Sequence, residues 1–356
     1  MTDVYLNRVA TANPPHEAHK EFLRFAEGQL DDRPTHRKLF TRMASRGGIE
    51  TRYSCFAPSD DLDLNLDKAG VYRRGDFPTT GRRMELFAQY GPDLAATAVE
   101  RLGIEPSEIT HLILATCTGF YAPGVDFEVI RRAGLSPNVE RTIVGFMGCH
   151  AAVNALKLAR HIVRSEPHAR VLIVNLELCS LHFMETEDLE ELLTFSLWGD
   201  GCAASLVSAD PVGFRLERFY SAIATDTAEL MKWEVGDQGF AMTLSGQVPA
   251  AVHTVLEAER GEVLANWAVE DIRFWAVHPG GRTVIDAVER ALKIDPELMG
   301  ASRKVLREYG NMSSSTIMFV MAEFLAEQTT GRGCGMAFGP GLVAETFTFS
   351  RPDTRH

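Results

Sequence analysis

No two of the six cysteines in this 356-residue chain, at positions 55, 117, 149, 179, 202 and 334, are spaced as CxxC. A thiolate zinc site is therefore not expected, and a chain long enough to bury its own core has little need of three disulfides. The cysteines read as reduced, small buried residues with room for one reactive thiol, and the metal expectation is none. Basic charge is also scarce: 36 Lys and Arg stand against 48 Asp and Glu, a formal charge of −12. Such a surface repels a phosphate backbone, so nucleic acid is excluded as a partner. Long apolar runs are missing too. The longest stretch without Asp, Glu, Lys or Arg, 238–256, carries Gly246, Pro249 and His253, which argues against integral membrane association. The opening MTDVYLNRVA has no secretory apolar core, so a cytoplasmic location is expected. No low-complexity tract or Gly/Ser linker interrupts a composition that is 45% hydrophobic and 24% charged, ordinary for a folded chain of about two domains' length.

What is present alternates. The most polar segment, 60–83, reads as an exposed loop. MELFAQYGPDLAATAVERLGI then has a helical period ending near Gly103, and HLILATCTG is an apolar run suited to a buried strand. RTIVGF, VLIVNLE and CAASLVSA are further buried-strand candidates, with the helix AAVNALKLARHIVRS between the first two, and this alternation predicts an α/β sandwich. The second part has a similar plan. IRFWAVHPGG matches HLILATCTG as strand and loop, YGNMSSSTIMFVMAEFL matches GFMGCHAAVNALKLA as turn and helix, and GCGMAFGPGLVAETFTF matches WGDGCAASLVSADP as a closing hairpin. Two similar halves, 1–211 and 212–356, are expected.

Three residues stand where chemistry gathers. Cys149 follows an apolar strand and a Met-Gly turn and opens a helix, whose N–H groups and dipole would favour a thiolate. His278 ends the strand IRFWAV, and Asn311 lies in the turn before the helix that begins near Ser313. Singly, each reads as well as a buried small residue, a structural imidazole and a capping amide. Together, a Cys/His/Asn set has two uses. One is a papain-type cysteine protease, whose local Cys context is absent here. The other is carbon–carbon bond formation on thioesters: the thiolate carries an acyl chain while His and Asn stabilise the enolate left by decarboxylation of a malonyl thioester.

GFMGCHAAVNALKLA, WAVHPGG with Asp286 following, YGNMSSST and AFGPGLVAET, together with TCTGFYAPGVD and WGDGCAASLV, resemble in order the signature blocks of the type III (chalcone synthase-like) polyketide synthases. The resemblance covers nearly the whole chain. It implies a thiolase-type five-layered αβαβα fold, a homodimer, and iterative condensation of malonyl-CoA onto an acyl-CoA starter held on Cys149, with neither a cofactor nor an obligatory carrier protein. His278 and Asn311 take the decarboxylation and oxyanion roles by the same resemblance. Arg42 and Arg46 fall where that family meets the CoA phosphates, and Gly339, Pro340 and Gly341 match its loop beside the cyclisation cavity. Ser313 falls among the substrate-binding positions. The family's gatekeeper phenylalanines are replaced by Trp198 and Met242, and the pocket positions fall on Cys117, Cys179, His182 and Trp233. The added tryptophan volume argues against a chalcone-type product, and flexible Met242 suits an aliphatic chain. The expected product is a cyclised pyrone or phenolic compound. The nearest alternative is an initiating β-ketoacyl-carrier-protein synthase, which shares the fold and the Cys/His/Asn set but condenses once. A catalytically silent scaffold is disfavoured by the presence of all three residues.

Overall fold

A computed structural model describes residues 2–327 and 329–352. Its centre is a nine-stranded sheet in the order Ile272–Val277, Gly331–Gly339, Val343–Arg351, Phe214–Ile223, Tyr5–Ala12, Asp200–Ser208, Val171–Leu178, His111–Thr116, Glu140–Gly145. The period-2 alternation of buried strands assigns each face to a different core. In His111–Thr116, Leu112 and Leu114 face one core while Ile113 and Ala115 face another. In Ile272–Val277, Trp275 and Val277 face a third core while Phe274 and Ala276 return to the second.

That second, shared core holds the helices Ala151–Ser165 and Ser314–Ala326, so apolar nearly all round that Ile317 to Met321 are all buried. A helix without a polar face must be enclosed. Thr80–Leu102 and Val125–Ala133 cover one outer face, and Val248–Ala258 with Arg282–Leu292 cover the other, giving helix, sheet, helix, sheet, helix. The expected αβαβα layering is present. No helix among the described residues is long and apolar enough to cross a membrane.

Three local expectations change. RTIVGF is a strand, but it is the outermost one, and Glu140 to Ile143 are exposed; an apolar run shows strand propensity without showing which strand is left at the edge. The 60–83 segment is not simply exposed. Asp67 and Tyr72 are buried, the Asp67 carboxylate accepting the Val71 and Tyr72 N–H groups and the Tyr72 hydroxyl donating to Ser180 O, while Thr80 already opens the long helix. Finally, WGDGCAASLVSADP is no hairpin: Tyr5–Ala12 lies between Asp200–Ser208 and Phe214–Ile223, pairing with both. The hairpin reading of Gly331–Gly339 with Val343–Arg351 holds.

Candidate active site

Cys149 sits in a single 3-10 turn, Gly148–His150, between the edge strand and the central helix Ala151–Ser165. Reaching it takes two left-handed residues, Phe146 at φ 57° and Gly148 at φ 71°. At Gly148 a Cβ would lie 2.3 Å from Pro340 Cδ, so glycine is required by both conformation and contact. The Gly148 N–H donates to Cys117 Sγ at 3.0 Å.

Asn311 is fixed from every side. Its N–H donates to Leu197 O at 2.7 Å and its carbonyl accepts from Gly199, which ties it beside Trp198. Its Oδ1 accepts the Ser313 N–H at 2.9 Å and its Nδ2 donates to Gly280 O at 3.2 Å. Gly280 in turn donates its N–H to His278 O, and His278 N–H donates to Met336 O. The Asn311 turn and the His278 strand end are thus one hydrogen-bonded unit. Ser313 holds φ 48°, a strained value for a side-chain-bearing residue directly beside the cluster.

A cavity of ≈ 340 Å³ is lined by Cys149, Asn311, Ser313 and Pro340 on one side and by Cys179, His182, Trp198, Trp233 and Met242 on the other, with Met231. Met242 is the cross-strand partner of Trp233 in the ribbon Met231–Gly236/Gly239–Leu244, so the two form one wall. Trp233 packs on His182 at 4.6 Å between centroids and stacks on Phe146 at 5.6 Å.

Of the predicted catalytic and pocket positions, Cys117, His278, Gly339 and Gly341 lie outside this lining. Cys117 is fully buried behind the cavity, turned to Gly148. Gly339 is likewise outside it; a Cβ there would meet the His150 ring at 2.3 Å, so this glycine permits close packing behind the nucleophile turn. His278 is 1% exposed, does not line the cavity, and neither ring nitrogen has a hydrogen-bond partner.

Next to the cavity, a groove of ≈ 1560 Å³ is lined by Arg46, Leu197, Gly280, Gly281 and Arg282 among others. Arg46 is there and Arg42 is not. Arg282 Nη1 donates to the Arg46 backbone O at 3.4 Å, which ties the two arginines together at the groove; Asp286 lies 3.7 Å from Arg282 Nε. Sequence reading missed Arg282 because it follows a Pro-Gly-Gly motif that drew attention only to His278.

It also missed Glu177, a carboxylate inside the apolar strand VLIVNLEL, which was a visible signal. Glu177 is fully buried, accepts from Cys117 N at 2.9 Å and from Ser314 Oγ at 2.5 Å, and so joins the elements behind Cys149 and Asn311. Burial pushes its carboxyl up to about 7, the Ser314 and Cys117 donors offsetting part of the shift.

Burial also decides the charge state of the pair. It pushes the Cys149 thiol up to about 11, with the Glu177 charge adding to it and Ser313 and Asn311 opposing it, and pushes His278 down to about 3, with His150 adding to it. Burial therefore works against the thiolate that the helix terminus would favour. Desolvation outweighs one terminal dipole, and no hydrogen bond joins the rings' nitrogens to sulfur. Both shifts favour the uncharged forms, thiol and imidazole.

Two family models match the chain: "Chalcone and stilbene synthases, N-terminal domain" over residues 10–211 and "Chalcone and stilbene synthases, C-terminal domain" over 218–351. Among curated proteins, the "Alpha-pyrone synthesis polyketide synthase-like Pks18" of Mycobacterium tuberculosis is 35% identical, covering 92% of this chain and 85% of that protein. The "Bisdemethoxycurcumin synthase" of Oryza sativa subsp. japonica is 31% identical, covering 95% and 90%. Among solved structures, the C-terminal type III polyketide synthase domain of Steely1 from Dictyostelium has a TM-score of 0.89 at 24% identity, covering 98% of this chain and 99% of that one. PKS-I from the brown alga Ectocarpus siliculosus has a TM-score of 0.87 at 25% identity, covering 99% of each.

Proposed function

This chain belongs to the chalcone and stilbene synthase family and is a type III polyketide synthase of thiolase-type fold, and from that premise we propose how its own residues divide the work. Cys149 is the acyl carrier, and His278 with Asn311 are the donors to the malonyl thioester. The observation that carries this reading is that Cys149 and Asn311 line one cavity, while Asn311 is hydrogen-bonded to Gly280 of the loop that begins at His278.

The acyl-CoA starter and malonyl-CoA enter by the groove at Arg46 and Arg282, whose guanidinium groups suit phosphate oxygens. Arg42 lies in the last turn of the helix Pro34–Ala44, just before Arg46, and outside the groove's lining. Attack of the Cys149 sulfur on the acyl thioester expels the CoA thiolate, which takes the thiol proton. N–H donors from His278 and Asn311 then hold the malonyl thioester oxygen as CO2 leaves, so the electron pair of the broken C–C bond rests on an oxygen held by fixed donors. The enolate carbon attacks the Cys149 acyl group, the sulfur leaves as thiolate, and the lengthened chain on CoA reloads. Ring closure releases a pyrone or phenolic product. The thioester enolate is the electron sink, so these steps call on no metal or redox cofactor, and the substrates are CoA esters with no obligatory carrier protein. The relatives favour neither the single-condensing carrier-protein synthase nor the cysteine protease.

Trp198, Trp233 and Met242 set how far the chain can grow. Purified enzyme mixed with malonyl-CoA and a panel of acyl-CoA starters, without carrier protein, is expected to give cyclised polyketides by mass spectrometry. Absence of any multiply extended product would overturn the reading. In the same assay Trp198→Ala is expected to shift products toward longer starters or additional extensions. Trp198 is 6% exposed and packs on Phe195 and His182, so truncation also costs about 3–5 kcal/mol of stability. A folded Trp198→Ala enzyme with the parent's product profile removes Trp198 from the specificity wall.

The open edge of Glu140–Gly145, flanked by exposed Phe120, Ile143 and Met147, fits a second copy of this chain as partner. Sedimentation is expected to give a dimer mass that Ile143→Asp halves; a monomeric parent would rule the dimer out. The six cysteines are all free, which accords with a cytoplasmic location, and recovery of the native chain with disulfides formed would contradict it.

A further inference from the structure

The missing CxxC pairs remove a thiolate zinc site, yet they say nothing of a site built from nitrogen and oxygen. At the starts of the parallel strands His111–Thr116 and Glu140–Gly145, His111 and Glu140 are register partners, so their side chains leave the sheet on the same side. Glu166, the residue that ends the helix Ala151–Ser165, reaches the same point. His111 Nε2 lies 3.7 Å from Glu140 Oε2 and 4.0 Å from Glu166 Oε2, and the three donor atoms all fall within 4.8 Å of one another. The imidazole side chain is 8% exposed, while the carboxylates are largely solvent-facing.

We propose that His111, Glu140 and Glu166 form a binding site for a divalent ion of the zinc type, remote from the polyketide chemistry. Four ligands at about 2.1 Å around a tetrahedral ion stand about 3.4 Å apart, so separations of 3.7 and 4.0 Å from the imidazole, within a cluster spanning up to 4.8 Å, need to close by between a few tenths of an ångström and about 1.4 Å, within the swing of two exposed glutamates. The far nitrogen already has a partner. Thr110 Oγ1 accepts the Arg170 N–H at 2.9 Å, can direct its own hydrogen to Arg170 O at 3.3 Å, and lies 2.8 Å from His111 Nδ1. In the tautomer whose Nδ1 proton is donated to the Thr110 hydroxyl, the Nε2 lone pair faces the two carboxylates. That arrangement is repulsive unless a cation lies between them, and a hydroxyl on the far nitrogen is the usual way a metal-binding histidine is oriented. Neither carboxylate has another ion-pair partner among the described residues. Water completes the coordination.

The site lies at the strand ends opposite the Cys149 turn, about six residues or ~20 Å away. Its ion would clip the edge strand to the helix behind the nucleophile and would take no part in condensation. A rival arrangement, an imidazolium held by both carboxylates without metal, needs no ion at all, and titration separates the two. Chelator-treated protein carrying Cys149→Ala, which removes the one thiol that is not fully buried as a competing ligand, is titrated with zinc chloride by calorimetry while melting temperature is followed. The expected result is one zinc per chain and a raised melting temperature, with no response to magnesium, because an imidazole nitrogen suits zinc and not magnesium. Adding Glu140→Gln and Glu166→Gln should weaken zinc by roughly tenfold or more and abolish the thermal shift, with the sedimentation mass of the variant unchanged because Glu140 opens the proposed dimer edge. No zinc uptake by the starting protein, or equal uptake after the two glutamine changes, would overturn the proposal.

Discussion

Cys149→Ala is expected to abolish acyl loading and product formation, a loss on the order of 10⁴-fold or more, while malonyl-CoA decarboxylation continues. The two steps use different atoms. Carbon–carbon bond formation needs a covalent acyl carrier, whereas decarboxylation needs only the donors that hold the enolate oxygen, and Asn311 keeps its geometry through Leu197, Gly199, Ser313 and Gly280 whatever stands at 149. His278→Ala and Asn311→Ala are expected to show the converse, with decarboxylation slowed ~10²–10³-fold each and single-turnover loading of the starter less affected. Carbon dioxide release and radiolabelled acyl-enzyme are measured separately. Near-parent product formation by Cys149→Ala would show that the chain is carried elsewhere, and unaltered decarboxylation in both other variants would remove them from the oxyanion site.

The second large effect is on pH. With the thiol raised to about 11 by burial and His278 lowered to about 3, the free enzyme is expected to hold Cys149 protonated at neutral pH. Since only the thiolate alkylates, inactivation by iodoacetamide is expected to rise about tenfold per unit between about pH 7 and about pH 10. Bound substrate then has to supply the activation: attack and transfer of the thiol proton to the leaving CoA sulfur occur together. An alkylation rate already at its plateau near pH 6 would mean a thiolate–imidazolium pair, with both shifts reversed in sign.

Several features were legible in the residues alone. Two-sided strands such as VLIVNLEL had to lie between two cores, the helix of Ser314–Ala326 had to be enclosed, and Cys149, His278 and Asn311 stood out at strand and helix ends. The reason is local: side-chain period and turn chemistry are properties of neighbouring residues. What neighbours cannot encode was decided by tertiary structure. Which apolar strand is left at the edge depends on where the sheet stops, so RTIVGF looked buried and is not. Whether Gly339 borders a cavity or yields to His150 depends on a contact 189 residues away. The thiol's affinity for its proton followed the same rule: the helix start that would lower it is written in sequence order, but the desolvation that raises it comes from residues distant in sequence, such as Asn311, Ser313 and Pro340, that share its cavity. His111, Glu140 and Glu166 likewise became a cluster only because parallel pairing set His111 beside Glu140 and the helix end of Glu166 came down beside them.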